Sequence, residues 1–201
     1  MLFYDLTKEQ RIIFVNKITE EIRSDLESNS LKNVLKYFSD EDTYIRKSSY
    51  MAIGKIYFQY PALQQKIISV FDFLLNETDF KIRQTVMNAA GEIAIKDFEI
   101  VEHFFDIGLF DTHHSVRNAV IGSMKKSGEK NPIPLLTWAK KYLHHEDKEI
   151  RREICHGLEL RGRTHPQEIL PLLKELQFDK TSRVSKTLVH VIGQISYKKI
   201  A

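Results

Sequence analysis

A short segment recurs five times along this chain at almost constant spacing. It begins with a polar residue and reaches a β-branched anchor three positions later, and arginine follows the anchor in the first four copies. The anchors are Ile45, Ile82, Val116, Ile150 and Val184, so successive copies lie 37, 34, 34 and 34 residues apart. A fixed period of this length is typical of a protein built from repeated supersecondary units.

Each copy has the sequence features of the start of an α-helix. Asp42, Asp79 and Asp147 stand where an N-cap side chain accepts hydrogen bonds from orphaned backbone N–H groups. Apolar or small residues recur four, seven and eight positions after the anchor, which is helical spacing. A second apolar segment precedes each capped one, and proline stands near the start of three of these segments, at 61, 132 and 166. The sequence therefore predicts five helix pairs.

The predicted architecture is all-α, a right-handed α-α superhelix or α-solenoid, formed as one domain over residues 1–201. A capping helix over 6–28 precedes repeats at about 31–60, 61–97, 98–130, 131–164 and 165–199. Only 8 glycines and 5 prolines occur in 201 residues, too few for a turn-rich sandwich or barrel. Glycine stands nine positions after the anchor in three copies, Gly54, Gly91 and Gly193, where it would allow a neighbouring helix to approach closely.

The D-x-x-[IV]-R opening, with a later small residue and glycine on the second helix of each pair, resembles the HEAT-repeat family over about residues 31–197. The resemblance implies that the second helices line a concave binding surface. It also implies that the arginines after the anchors pair with acidic groups in adjacent loops. This predicts a structural ladder of Arg46, Arg83, Arg117 and Arg151 with Asp42, Asp79 and Asp147. The tetratricopeptide pattern, which shares the 34-residue period, does not fit this sequence.

Composition restricts the cellular location that we expect for this protein, and charge restricts the kind of partner that it would bind. The single cysteine, Cys155, excludes a disulfide framework within one chain, and no apolar run is long enough to span a bilayer. With no signal-type stretch in Met1–Gln10, we expect a cytoplasmic protein with no membrane partner.

The charged residues, 30 Lys/Arg and 27 Asp/Glu in all, are unevenly distributed. Residues 112–201 hold 17 Lys/Arg and 9 Asp/Glu, a net charge of +8. Residues 1–111 hold 13 and 18, a net charge of −5. The C-terminal half is expected to attract an anionic partner.

Positions two, six and ten residues after the anchor lie off the apolar stripe and are expected on the concave surface. In the last three repeats they predict a polar, cationic binding strip of Asn118, Lys126, Arg152, His156, Lys186 and His190. Arginine and lysine there would contact carboxylates or phosphates. His156 and His190 occupy the same position in adjacent repeats. Because no carboxylate stands beside them in that row, a partner contact is favoured and no metal site is predicted.

No catalytic constellation accompanies the repeats. The chain lacks the nucleotide-binding glycine loops and the H-E-x-x-H zinc motif. Two HEAT-like families are enzymes, and each fits poorly. Di-iron deoxyhypusine hydroxylases carry His-Glu pairs just after the anchor, where this chain has Arg152-Glu153 at the nearest match. The HEAT-like DNA alkylpurine glycosylases are similar in architecture, size and a basic C-terminal face, but use paired tryptophans, and Trp138 stands alone here.

The sequence therefore predicts a non-catalytic HEAT-repeat adaptor or scaffold that binds an acidic protein partner through its C-terminal concave face. No catalytic residue, metal or small-molecule cofactor is expected. The alternative is a DNA-binding protein related to the alkylpurine glycosylases without their full catalytic set. A third hypothesis is a structural piece of a larger complex that docks through one end, since no polar capping helix follows at 196–201.

Overall fold

The computed structural model describes residues 3–200, with side chains described for residues 3–197. Within that range every regular element is helical, which confirms the predicted all-α helical-repeat class. Two short 3-10 turns, Phe3–Asp5 and Pro61–Leu63, accompany the α-helices. These are α1 Lys8–Ser28, α2 Lys32–Phe38, α3 Thr43–Gln59, α4 Gln64–Leu74, α5 Phe80–Ala94, α6 Phe98–Leu109, α7 His114–Lys130, α8 Pro132–Lys140, α9 Lys148–Gly157, α10 Glu159–Thr164, α11 Pro166–Lys174 and α12 Ser182–Ile200.

The helices follow the predicted pairs, with one difference in the fourth repeat. Its second helix is interrupted at Leu158, so that α9 and α10 together occupy the place of one helix. Glycine is a common cause of such breaks, and Gly157 stands at this one. A Cβ at Gly157 would lie 2.5 Å from the Met124 methyl carbon, so any larger residue there would make the Met124 side chain shift.

By its internal contacts the chain divides into two compact units, Met1–Ile93 and Ala94–Ala201, called unit 1 and unit 2 below. Unit 1 contains α1 to α4 and nearly all of α5, and unit 2 contains α6 to α12. The single domain predicted over residues 1–201 stays a prediction, and residues 1, 2 and 201 of it lie outside the described residues. The predicted C-terminal end at 196–201 is described only as far as residue 200.

In unit 1 the predicted N-terminal helix covers the first helix pair. The helix α1 packs against both α2 and α3, and its Ile18 and Ile22 are fully buried there. Its buried Asp25 accepts a hydrogen bond from the backbone N–H of Val34 at 3.0 Å. A carboxylate at the start of α2 satisfies donors that have no partner inside that helix. Thus α1 both closes the apolar face of the pair and caps its first helix.

In unit 2 the second helices pack side by side in one layer. Both α7 and α12 contact α9 and α10, while α6, α8 and α11 pack on the other side of that layer. Trp138 of α8 is fully buried, and its indole N–H donates to Asp106 at 2.6 Å. Cys155 is likewise fully buried, and burial raises the pKa of its thiol to about 12. Both residues therefore belong to the core of unit 2, which supports the layer of second helices.

The arginine after each anchor closes the loop that precedes its own helix. In every one of the four copies its guanidinium donates to two backbone carbonyls, six and five residues earlier. These are Asp40 and Glu41 for Arg46, Glu77 and Thr78 for Arg83, Asp111 and Thr112 for Arg117, and His145 and Glu146 for Arg151. Carbonyls at the end of a helix otherwise lack partners, so the shared contact of the ladder is to backbone.

The acidic members of the predicted ladder have the N-cap role that the sequence predicts for them. Asp42, Asp79 and Asp147 each accept a backbone N–H two residues later at 2.8 Å, as N-caps of α3, α5 and α9. The carboxylates that contact Arg117 and Arg151 belong to the following repeat and are Glu153, at 3.1 Å, and Asp179, at 2.6 Å. No helix in the described part of the chain is long and apolar enough to cross a membrane.

Candidate functional site

The six residues of the predicted strip all lie in unit 2, on the second helices. Asn118 and Lys126 of α7 are exposed, as are Lys186 and His190 of α12. Arg152 and His156 of α9, which lies between those helices, are half-buried. The layer thus carries two exposed outer rows and a less accessible central row, because α9 is flanked on both sides.

The packing of α9 on α12 brings the two histidines of the strip together. The ring centroids of His156 and His190 are 6.1 Å apart, at an interplanar angle of 78°. Their equal position in adjacent repeats places them at matching heights on neighbouring helices. The His156 and His190 side chains are therefore neighbours on the surface of unit 2.

Carboxylates that the sequence analysis did not assign to the strip neutralise much of its charge. Arg152 donates to Glu149 at 3.0 Å and to Glu153 at 3.2 Å, and Arg183 lies 3.1 Å from Glu149. Glu153 stands three positions after its anchor, where the other repeats carry only serine, threonine or alanine. That exception was the available sequence signal, since an acid at a small buried position needs cationic partners.

Glu153 joins α7 and α9 electrostatically. Its side chain is 1% exposed and lies between Arg117 of α7 and Arg152 of its own helix. Burial raises the pKa of the Glu153 carboxyl above its usual value, although both arginines oppose that shift. Because the arginines are bound internally, they are held in fixed positions, and their contribution to the outward potential is reduced.

A second carboxylate, Glu159, lies beside the histidine pair. The Glu159 Oε2 atom is 3.3 Å from His156 Nε2 and 3.7 Å from His190 Nε2. The Lys125 ammonium lies 3.1 Å from the same oxygen and 3.0 Å from His156 Nε2. The row six positions after the anchor holds no carboxylate, but Glu159 follows His156 by almost one helical turn and lies beside both histidines from outside that row.

The cation that enters this cluster is Lys125, the residue before the predicted Lys126. Lys125 and Glu159 both stand nine positions after their anchors, where three other repeats have glycine. Opposite charges at one position of adjacent repeats were therefore the sequence signal for this pair. Burial, with the Lys125 ammonium next in importance, lowers the pKa of His156. Burial opposes ionisation of Glu159, but Lys125 and Arg163 outweigh it and lower the pKa of that carboxyl.

The arrangement provides one group of side chains that could ligate a metal. One ligand atom each from His156, Glu159 and His190 lies within 4.8 Å of the other two. It is the one such group of three or more His, Cys, Asp or Glu among the described residues. The neighbouring Cys155 is a buried thiol.

Unit 1 has a different feature on its second helix, an aromatic groove of about 480 Å³. The 3-10 turn at its N-terminus lays Tyr4 edge-on to Tyr44, with ring centroids 4.3 Å apart. The backbone N–H of Phe3 donates to Asp42 at 2.6 Å, which fixes this turn on α3. The exposed Met51 and two lysines, Lys47 and Lys55, complete one side of the groove. The groove could not be predicted from the sequence because the 3-10 turn Phe3–Asp5 has no helical periodicity of its own.

Comparison with models of protein families gave no match, and comparison with curated proteins gave none either. Among solved structures, a designed armadillo repeat protein in complex with the peptide (KR)4 is 16% identical, with 93% of this chain and 92% of that chain covered and a TM-score of 0.39. Computationally designed armadillo repeat proteins for modular peptide recognition are 17% identical, with 94% of each chain covered and a TM-score of 0.37.

The class of this protein follows from its own helix pairs, which make it an all-α helical-repeat protein of the α-solenoid type. The likeness to designed armadillo repeats, at these values, concerns that fold and carries nothing about what this chain binds. The HEAT-specific assignment and the likeness to DNA alkylpurine glycosylases rest on the sequence resemblance.

Proposed function

We propose that this chain is a non-catalytic binding protein of the HEAT-like adaptor type, which takes an acidic protein segment on its α7–α9–α12 surface. The observation that carries the proposal is the exposed cationic row on each side of α9. Lys126 lies on one side and Lys186 with His190 on the other. Such rows can hold acidic side chains at two separate points along an extended segment.

The central arginine supports this proposal because it keeps free donors. A guanidinium has five N–H donors in a fixed fork, and Arg152 uses its Nε and Nη2 atoms for Glu149 and Glu153. Those contacts hold the side chain in one geometry, so that less conformational entropy is lost when a partner carboxylate binds. The exposed amide of Asn118 adds a neutral donor and acceptor on the α7 side.

The internal carboxylates favour a protein segment over a nucleic acid duplex. Glu149 is partly exposed beside Arg152 and Arg183, and its charge opposes the approach of closely spaced phosphates. Duplex binding draws its affinity from many phosphate contacts, whereas an acidic segment needs a few cations at fixed positions. DNA binding is therefore the alternative function, and it is an outcome of the same experiment.

The test is fluorescence anisotropy with a labelled acidic peptide and, separately, a labelled mixed-sequence DNA duplex, each at low and near-physiological salt. Lys126→Glu with Lys186→Glu reverses one charge on each exposed row without touching the arginine–carboxylate contacts. We expect peptide affinity to fall roughly tenfold, since two reversals of about 0.7 kcal/mol each sum to the 1.4 kcal/mol of a tenfold change.

The matched control is Lys140→Glu with Lys174→Glu, which makes the same charge change at exposed positions of α8 and α11. Peptide binding that is retained in this control and lost in the first variant supports the proposed surface. Equal loss in both variants would show a net-charge effect and contradict it. Tight duplex binding with steep salt dependence, and no peptide binding, would replace the proposal with the nucleic-acid function.

A further inference from the structure

The cluster of His156, Glu159 and His190 has the geometry of a metal site. Both imidazole Nε2 atoms face one carboxylate oxygen, Glu159 Oε2, at 3.3 and 3.7 Å. Zinc bonds of 2.0–2.1 Å in a tetrahedron separate neighbouring ligand atoms by about 3.3 Å. The distances from Glu159 Oε2 to the two Nε2 atoms are therefore close to the ligand–ligand distance of a tetrahedral zinc site, without any change of backbone.

The types of ligand narrow the class of ion. Two imidazoles and one carboxylate form the ligand set of several three-ligand zinc sites, in which a fourth position stays open. Magnesium and calcium prefer oxygen ligands throughout, so two histidines disfavour them. The set selects for a divalent transition metal ion.

Neighbouring side chains hold the Glu159 carboxylate in place, as a metal site requires of its ligands. The Arg163 guanidinium contacts the other carboxylate oxygen, Oε1, and also donates to Gln194 of α12 at 2.6 Å. Partners of this kind fix the orientation of a ligating carboxylate. Arg163 thus leaves Oε2 directed toward the histidines.

The Lys125 ammonium lies beside two of the three ligands, 3.0 Å from His156 Nε2 and 3.1 Å from Glu159 Oε2. A cation there stabilises the carboxylate in the same way that a metal ion would, and it competes for the same two atoms. The lysine side chain is flexible and partly exposed, so it can swing toward solvent when an ion binds.

We propose that His156, Glu159 and His190 form a binding site for a divalent transition metal ion, best matched by Zn²⁺, which Lys125 occupies electrostatically in the metal-free protein. Two of the ligands, His156 and His190, belong to the strip of the proposed function, but all three come from this chain and require no protein partner.

The test is titration of chelator-treated, tag-free protein with Zn²⁺ by calorimetry, supported by the visible absorption of bound Co²⁺. We expect one ion per chain and no comparable binding of Mg²⁺. In His190→Ala, a change at a side chain that is 54% exposed, affinity should fall by at least about tenfold. Loss of a mere hydrogen-bond partner of a ligand already costs roughly 10- to 100-fold.

The matched control is His144→Ala, since His144 also pairs with a glutamate, Glu175, at 2.8 Å in unit 2 but has no third ligand near it. Affinity should be unchanged in this variant. No zinc binding by the wild-type protein, or equal affinity in His190→Ala and wild type, would overturn the proposal.

A second variant, Lys125→Met, tests the position of the ion directly. Removal of the competing ammonium should tighten zinc binding by about tenfold, because the carboxylate then has no internal cation at Oε2 to displace. Circular dichroism confirms that the variant is folded. Tighter binding supports the site, and unchanged or weaker binding in the folded variant overturns the assignment of the ion to the place of the ammonium.

Discussion

The two units present the same positions of the repeat with opposite chemistry. In unit 1 the residue before the anchor is Tyr44 and the residue six after it is Met51, and both line the aromatic groove. In the fourth repeat, in unit 2, the same two positions hold Glu149 and His156, which belong to the charged layer. Helix geometry decides that these positions reach the surface, and the residue types alone decide what the surface can bind.

The comparison also applies to the interior of the repeat. Nine positions after the anchor, Gly54 of unit 1 lets α5 approach so closely that a Cβ there would lie 2.6 Å from Glu92 Cβ. In the third and fourth repeats, in unit 2, the same position holds Lys125 and Glu159, which join neighbouring helices through an ion pair. One scaffold therefore uses backbone proximity in one unit and paired charge in the other.

The largest expected effect on stability concerns the buried pair that links Arg151 to Asp179. The two side chains are 15% and 6% exposed, and Asp179 also accepts the backbone N–H of Thr181 at 2.8 Å. Asp179→Asn should lower the free energy of unfolding by about 3 kcal/mol, since it leaves a buried guanidinium without its counter-charge. Urea denaturation followed by the fluorescence of Trp138, which lies in unit 2, measures this change.

The same pair predicts a pH dependence. The hydrogen bond that Asp179 accepts from Arg151 holds the pKa of this carboxyl well below its usual range, although burial acts in the opposite direction. A folded-state pKa below the unfolded value of about 3.9 stabilises the protein above that pH, and the contribution disappears as the pH falls further. The difference between wild type and Asp179→Asn should therefore be full above about pH 5 and shrink toward acid. The exposed control, Glu146→Gln, should show no such difference. A constant difference down to acid pH would contradict the role of the carboxylate charge.

An intermediate effect is expected from a matched pair of glycine substitutions. Gly54→Ala should destabilise unit 1 by about 2 kcal/mol, because the new methyl group overpacks against the first side-chain carbon of Glu92. Gly193→Ala, at the same repeat position in α12, meets no atom within 4 Å and should stabilise the helix by up to about 1 kcal/mol. Thermal unfolding by circular dichroism compares the two variants. The same sign of change in both would mean that the position acts through helix propensity and not through packing.

The smallest effect should come from the aromatic groove. Tyr44→Ala removes an edge-to-face contact with Tyr4, worth about 1 kcal/mol. Amide hydrogen exchange in α1 and α3 should rise by roughly fivefold, the factor that 1 kcal/mol represents. Because the contact joins two phenol side chains and involves no ion pair, the change should be the same at low and high salt. A salt-dependent change would show that charge, and not ring packing, stabilises the contact.

Much of the fold could be predicted because the controlling signals are local. The spacing of anchors such as Ile82 and Val116 determined the helix pairs, and the aspartates before them determined where α3, α5 and α9 begin. Helical periodicity is a property of a dozen consecutive residues, so the exposure of Lys186 followed from it.

The sequence by itself determined which face of each helix points outward, and the tertiary structure decided which charges meet. Lys125 reaches Glu159, and Arg117 reaches Glu153, only through the offset at which α7 packs against α9 and α10. That offset depends on side-chain volumes at the interface, such as Met124 against Gly157. Packing of neighbouring helices is a sum over many small contacts and not a property of one segment. For that reason the positions of the six strip residues on the second helices could be predicted, while the carboxylates beside them and the His156–Glu159–His190 cluster came from the structure.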